Sequence, residues 1–258
     1  MFQSATIDDQ FPTKADAVPM HQRGDGGVVR AGAIRIAELY QSVQGEGRYV
    51  GTPSVFVRTT GCNLRCWYCD TPFTSWTPEG DTRPLERLIH QTLDFECDHI
   101  VITGGEPLLP QPIVAFSQAL AEAGRNVTIE TAGTVYRPVA AHLMSISPKL
   151  ANSTPSDSRW RKRHDALRDQ PAVIERMINE FNYQLKFVID RPEETAEVTG
   201  WLARFPQIAR DRVYLMPQAV TQDQLVEKSA WLRSSAEAMG VQFSPRLHIE
   251  QFGNARGK

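Results

Sequence analysis

The sequence predicts an α/β fold, an incomplete (β/α) barrel of about six mostly parallel strands. Three observations predict it. From Ala33 onward, short β-rich runs alternate with longer stretches of helical periodicity, the mark of repeated βα units. Several strand runs, among them Ile100-Val101-Ile102 and Phe187-Val188-Ile189, are continuously apolar, which suits parallel strands covered on both faces. Strand and helix runs together fall short of the eight units a closed barrel needs.

In chain order the predicted strands are Ile34–Leu39, Ser54–Thr60, His99–Thr103, Val127–Glu130, Met144–Ser147, Gln184–Ile189 and Arg212–Met216. Most are rich in β-branched or aromatic residues. The predicted helices are Pro84–Asp94, Gln111–Ala123, Pro171–Asn182, Glu193–Phe205 and Thr221–Met239. In Pro171–Asn182 the apolar positions Val173, Ile174, Met177, Ile178 and Phe181 fall at helical spacing. Residues 1–30 are polar and turn-rich, with Pro12, Pro19, Gly24, Gly26 and Gly27, and read as a flexible N-terminal extension that cannot offset its ordering entropy. No linker divides the remainder, so 31–258 is expected to be one domain. In such folds chemistry gathers at the C-terminal ends of the strands.

Composition removes several function classes. The chain has 258 residues with 28 Lys+Arg against 30 Asp+Glu, a formal net charge of −2. That balance argues against a dedicated nucleic-acid binder. No apolar run is long enough to span a membrane, and the early acids Asp8 and Asp9 do not fit a secretory signal, so a cytoplasmic location is expected. Four cysteines do not make a disulfide framework in a chain this size.

Three of those cysteines, Cys62, Cys66 and Cys69, are crowded into one loop after the second strand, as Cys-x3-Cys-x2-Cys. A structural zinc site would want four ligands. The remaining cysteine, Cys97, reads as a small buried hydrophobe. Three thiolates suit a 4Fe–4S cluster with one iron open to an outside ligand. A zinc-stabilised binding module is the alternative from a different class.

Cys-x3-Cys-x-aromatic-Cys, with Tyr68 at the aromatic position, resembles the radical S-adenosylmethionine superfamily. Thr103-Gly104-Gly105-Glu106-Pro107, after the strand His99–Thr103, is similar to that superfamily's Gly-Gly-Glu-Pro element, although alone it could be a tight turn. Further residues are similar to 7-carboxy-7-deazaguanine synthases. They are Gln44-Gly45-Glu46-Gly47 upstream, Phe56-Val57-Arg58-Thr59-Thr60-Gly61 leading into the cysteines, and Cys69-Asp70-Thr71-Pro72. So are Ile129–Thr134, Ser145–Lys149, Met216–Ala219 and the closing segments Pro245–Ile249 and Phe252–Gly257.

The resemblance implies a radical S-adenosylmethionine type of fold and a set of roles. Cys62, Cys66 and Cys69 hold the cluster. Tyr68, Cys69, Asp70 and Gly105 contact S-adenosylmethionine, with Ser147, Pro148 and Lys149 after one strand and Met216, Pro217, Gln218 and Ala219 after another. Val43, Gln44, Gly45, Glu46, Arg58, Thr103 and His248 bind the pterin substrate. Thr71 ligates Mg2+, although Thr before Pro also makes a good helix N-cap. Arg58 could instead pair with a neighbouring acid on its strand, and His248 could be structural.

The implied reaction is conversion of 6-carboxy-5,6,7,8-tetrahydropterin to 7-carboxy-7-deazaguanine. A 5′-deoxyadenosyl radical takes hydrogen from C6, the ring contracts and ammonia leaves. This makes the chain a carbon–nitrogen lyase of 7-deazapurine and queuosine biosynthesis. It also implies a low-potential electron donor of flavodoxin or ferredoxin type and a homodimer. A glycyl-radical-activating enzyme is the rival within the superfamily. Ala151–Gln170, with Arg159-Trp160-Arg161-Lys162-Arg163-His164, reads as an insertion forming a solvated loop or lid.

Overall fold

The computed structural model describes residues 32–257, so the expected N-terminal extension lies outside the described residues. The strands are β1 (Ala33–Val43), β2 (Pro53–Thr59), β3 (Asp81–Pro84), β4 (His99–Gly104), β5 (Asn126–Thr131), β6 (Leu143–Ile146), β7 (Tyr183–Ile189), β8 (Val213–Pro217) and β9 (Gln242–Phe243). The helices are α1 (Pro72–Ser75), α2 (Leu85–Leu93), α3 (Ile113–Glu122), α4 (Ser158–Arg168), α5 (Pro171–Glu180), α6 (Glu194–Ala203), α7 (Gln222–Ala238) and α8 (Leu247–Phe252).

All nine strands lie in one sheet of order β3-β1-β2-β4-β5-β6-β7-β8-β9. From β2 to β9 the pairing is parallel, whereas β1 pairs antiparallel with both β2 and β3. The sheet is mostly parallel and unclosed, as an incomplete barrel requires. Every predicted strand and helix is present within a few residues. The largest difference in length is β1, which runs on to Val43 because Gln41, Ser42 and Val43 pair with Val55, Ser54 and Pro53. Their polarity concealed the strand.

The parallel strands are apolar throughout on one face and mixed on the other, where Phe56, Val101 and Leu143 sit among polar residues. Val55, Val57, Ile100, Ile102, Val127, Ile129, Met144, Ile146, Leu185 and Phe187 form the core with the helices. The opposite face carries Ser54, Arg58, Thr103, Thr128, Glu130, Ser145, Gln184 and Lys186, and the register places Glu130 beside Ser145 and Ser145 beside Gln184. The strands are covered on both faces, as expected, but the inner one is a largely polar lumen, with single polar residues set into otherwise apolar runs.

His99 shows how that lumen is tied together. Its Nδ1 meets Ser54 Oγ at 2.8 Å and its Nε2 meets Thr128 Oγ1 at 2.8 Å, joining three neighbouring strands. Burial holds its pKa down at about 4. The unfolded chain takes up this proton below a pH of about 6.5 but the fold resists it until about 4, so stability present above 6.5 is lost as pH falls through that window. The loss is about 3 kcal/mol. Denaturant unfolding at pH 7 and pH 4.5 is expected to show a steep drop that His99→Gln lessens, His164, which burial also holds at about 4, supplying much of the rest; equal drops in the two proteins would contradict it.

Among the described residues no helix is long and apolar enough to cross a membrane. The segment expected as a loop or lid forms α4, which does not line the cavity described below. Trp160, His164 and Leu167, at helical spacing, face inward between exposed cations. A stripe of Trp, His and Leu inside a basic run escaped a reading based on apolar periodicity.

Candidate active site

The lumen opens into a cavity of about 250 Å³ walled by residues from both ends of the barrel. The C-terminal strand ends supply Cys62–Asp70 after β2, Gly104 and Gly105 after β4, Thr131 and Ala132 after β5, Ser147 and Lys149 after β6, and Met216 and Gln218 at β8. The hairpin loop joining β1 to β2, with Gln44, Gly45 and Glu46, supplies another wall. That loop enters from the N-terminal end of the parallel strands: Gly47 N–H donates to Ser244 Oγ at 2.8 Å, and Arg48 N–H donates to Gln184 Oε1 at 2.8 Å. One wall of the site thus lies opposite the C-terminal strand ends that supply most of it.

Cys62, Cys66 and Cys69 all line this cavity. Burial pushes the Cys62 and Cys66 thiols up to about 12 and raises Cys69 as well, and a charge on any one of the three would disfavour charge on the others. Such thiols stay protonated until a metal displaces the protons. Among the described residues no three His, Cys, Asp or Glu side chains are grouped to hold a single metal ion. Three thiols on one cavity are the donor set a 4Fe–4S cluster with one open iron takes, whereas a structural zinc wants four ligands. The donor set fits a 4Fe–4S cluster.

The strand end before Glu106 is stitched to the cysteine loop. Gly105 N–H donates to Thr59 O at 3.2 Å and Glu106 N–H to Gly61 O at 2.9 Å. The Glu106 side chain points away into the protein, accepting from Thr131 Oγ1 at 2.8 Å and Ala132 N–H at 2.9 Å. It is an anchor between two strand ends, and the glycines are what the cavity sees.

Thr71 occupies the N-cap position of α1, yet its side chain makes no capping bond. The turn closes through its carbonyl, which accepts from Thr74 N–H at 2.9 Å. Thr71 lines the cavity, its hydroxyl 3.3 Å from the Thr74 hydroxyl, from which it accepts, and 3.8 Å from Cys69 Sγ.

A buried charge network fills the far wall. Lys186 Nζ donates to Glu46 Oε2 at 2.8 Å and to Glu130 Oε1 at 3.3 Å. Arg246 donates to Glu46 Oε1 at 3.1 Å and to Asp70. Burial opposes ionisation of Glu46, but the Lys186 and Arg246 cations outweigh it and hold the carboxyl well below its ordinary range. Asp70 is lowered in the same way, against its burial, chiefly by Arg246. Gln44 is spanned at both ends, its Nε2 donating to Glu130 Oε1 at 3.1 Å and its Oε1 accepting from Glu46 N–H at 3.1 Å. Lys186, Arg246 and Glu130 were not among the predicted site residues. Lys186 carried a legible signal, a lone cation inside the apolar strand run Leu185–Ile189.

Arg58 lines the cavity, but its Nε donates to Glu38 Oε2 at 2.8 Å and its Nη2 to the Tyr40 hydroxyl at 2.9 Å. The ion-pair alternative for Arg58 is therefore realised. Val43, Thr103, Tyr68 and His248 also line the cavity, His248 lying 3.5 Å from Arg246 Nη2. Pro148, Pro217 and Ala219 do not; Ala219 instead offers its carbonyl to Arg246. The closing segment Asn254–Gly257 forms part of the rim, with Arg256 stacked 3.7 Å from the Phe73 ring centroid.

Comparison with known proteins gives a consistent result. Residues 56–149 match the family model of the Radical SAM superfamily. A 7-carboxy-7-deazaguanine synthase of Rhodopirellula baltica is 43% identical over 229 residues, 87% of this chain and 89% of that protein. One of Halobacterium salinarum is 40% identical over 236 residues, 86% of this chain and 92% of the relative. In fold, the crystal structure of QueE from Escherichia coli superposes with a TM-score of 0.64 at 22% identity, covering 84% of this chain and 95% of that one.

Proposed function

The chain belongs to the 7-carboxy-7-deazaguanine synthase family, and from that premise we propose that it converts 6-carboxy-5,6,7,8-tetrahydropterin to 7-carboxy-7-deazaguanine with loss of ammonia, in the cytoplasm. The observation that carries the reading is the convergence of three free cysteines, one buried and two half-buried, the Thr71 side chain and a polar lumen on one small cavity.

Cys62, Cys66 and Cys69 hold the 4Fe–4S cluster once their thiol protons are displaced. When bound, the cluster and S-adenosylmethionine supply the one-electron chemistry that activates a substrate C–H bond. The protein's own residues position and shield. The Thr71 hydroxyl takes one place on a Mg2+ ion, leaving the others to water and the substrate carboxylate. Gln44, Glu46 and Glu130, held rigid by Lys186 and Arg246, face the polar edge of the pterin. Arg58 keeps Nη1 for a ligand, since Nε and Nη2 are taken by Glu38 and Tyr40. Asn254–Gly257 lines the rim, and the small volume of the cavity suits a small molecule better than the protein strand a glycyl-radical-activating enzyme must admit. A flavodoxin- or ferredoxin-type donor and a homodimer complete the proposal.

The test is an anaerobic assay with the pterin, S-adenosylmethionine, Mg2+ and a low-potential reductant. Thr71→Ala is expected to keep the wild-type iron and sulfide content while losing about 10–100-fold in product formation, with partial recovery at high Mg2+. Absence of product from the wild type, or a Thr71→Ala protein that behaves identically, overturns the substrate assignment.

A further inference from the structure

α4 separates two functions on its two sides. Its inner stripe lies on the cysteine loop: Leu167 packs against the cluster of Leu64, Cys66 and Ala132, and His164 Nδ1 accepts from Arg65 N–H at 3.1 Å. The Arg65 guanidinium lies 4.3 Å from the Trp160 ring centroid. Trp67, the residue after Cys66, donates from its indole to Asn152 O at 2.6 Å and is 51% exposed. Of the two chain neighbours of Cys66, Arg65 is fastened to α4 and Trp67 to the turn just before it, and Trp67 reaches solvent there.

The outer side is basic. Ser158–Arg168 carries five Lys or Arg against one Asp, in a chain whose net charge is −2. Arg159 is neutralised by Asp157 and Arg168 by Asp165. Arg161, Lys162 and Arg163 are exposed and form no ion pair among the described residues. Lys162 lies opposite the inner stripe, with Arg161 and Arg163 flanking it, Arg161 donating to Pro155 O and Arg163 lying 5.8 Å from the Trp160 ring centroid; exposed cations without acidic partners attract an acidic partner over about a Debye length. The cavity does not reach this face, so the substrate does not explain it.

We infer that the outer face of α4 is the docking surface for an acidic, low-potential one-electron carrier protein, which feeds the cluster through the Arg65–Trp67 side of its loop. The inference rests on the proposed function for its need of a cluster. One electron leaves the carrier and enters the cluster; no bond forms or breaks and no proton is required. An RNA would also favour a basic face, but nothing in that case explains why the face is built on the cysteine loop.

Fully reduced flavodoxin serves as the probe, its one-electron oxidation by the reconstituted enzyme followed by stopped-flow flavin absorbance. The wild-type rate is expected to fall about tenfold between low salt and roughly 0.5 M salt. The combined variant Arg161→Glu, Lys162→Glu, Arg163→Glu is expected to lose about tenfold at low salt and most of the salt dependence. Lys162→Glu alone is expected to show a smaller loss of the same kind. Cluster reduction by a photoreduced deazaflavin, a small reductant with no docking surface, is expected to stay within twofold in all three proteins. No transfer from flavodoxin to the wild type, an unchanged flavodoxin rate in the variants, or an equal loss with deazaflavin overturns the inference. So does RNA binding that the charge reversals abolish while the flavodoxin rate stands. Because electron transfer is read without the pterin, failure of the deazaguanine assay in deazaflavin-reduced wild type counts against the proposed substrate and leaves the docking result separate.

Discussion

Lys186→Met is expected to destabilise the protein by about 3–5 kcal/mol at pH 7, more than an ordinary core substitution. The ammonium is 3% exposed and sits between Glu46 and Glu130. Burial alone would lower its pKa, yet the two carboxylates hold it above the ordinary lysine value, so the cation is bound tightly in the folded state. Methionine fills much of the same volume and leaves two acids without their shared counter-ion. The pH dependence identifies the cause. The Glu46 carboxyl is depressed in the fold, so its contribution is present above the unfolded pKa of about 4.3 and is lost as pH falls below it. Part of that contribution disappears with the lysine, so the gap between wild type and variant narrows on acidification. A second change, Glu130→Gln in the Lys186→Met background, removes the carboxylate left without a cation, Glu46 keeping Arg246, and is expected to recover part of the loss. Unfolding measurements at pH 7 and pH 4 decide it; a variant within 1 kcal/mol of wild type at pH 7 would show that the network carries little energy.

The same network marks the limit of what the sequence made legible. The cysteine loop, the glycines after β4 and the strand runs are local signals, each contained in a short stretch of chain. Lys186 meets Glu46 across 140 residues and Arg246 meets Glu46 across 200. Spacing cannot encode such pairings; only the fold brings them together. The resemblance to a family placed Gln44, Glu46 and His248 at the site, but it did not show Gln44 bonded at both ends or Arg58 committed to Glu38. Two readings of Thr71, cap or metal ligand, were equally compatible with Thr before Pro. In the structure the Thr71 side chain makes no capping bond, and the turn closes through its carbonyl. Edge strands such as β9, two residues long, carry too little pattern to be read at all.

Gly104→Ala is expected to cost about 3 kcal/mol or more and to prevent normal cluster incorporation. Gly104 adopts φ +133°, and a Cβ there would lie 2.1 Å from Thr59 O and 2.6 Å from Thr59 N. Those atoms are backbone of the neighbouring β2, held in the sheet by its pairing with β4, so they cannot step aside as a flexible side chain would. The following residue, Gly105, is equally closed in, its Cβ position lying 2.2 Å from Gly61 O. Gly61 immediately precedes Cys62, so any shift that relieves the clash moves the first cluster thiol. Gly124→Ala is the matched control: φ is +79° but nothing lies within 4 Å of the added carbon, so it bears the backbone strain without the collision. The control is expected to lose only about 1 kcal/mol and to bind wild-type iron, whereas Gly104→Ala should melt far lower and take up less than half the iron on anaerobic reconstitution. If both variants lose stability equally and both bind full iron, strain alone accounts for Gly104. The close approach of β4 to the cysteine loop would then not be what positions the thiols.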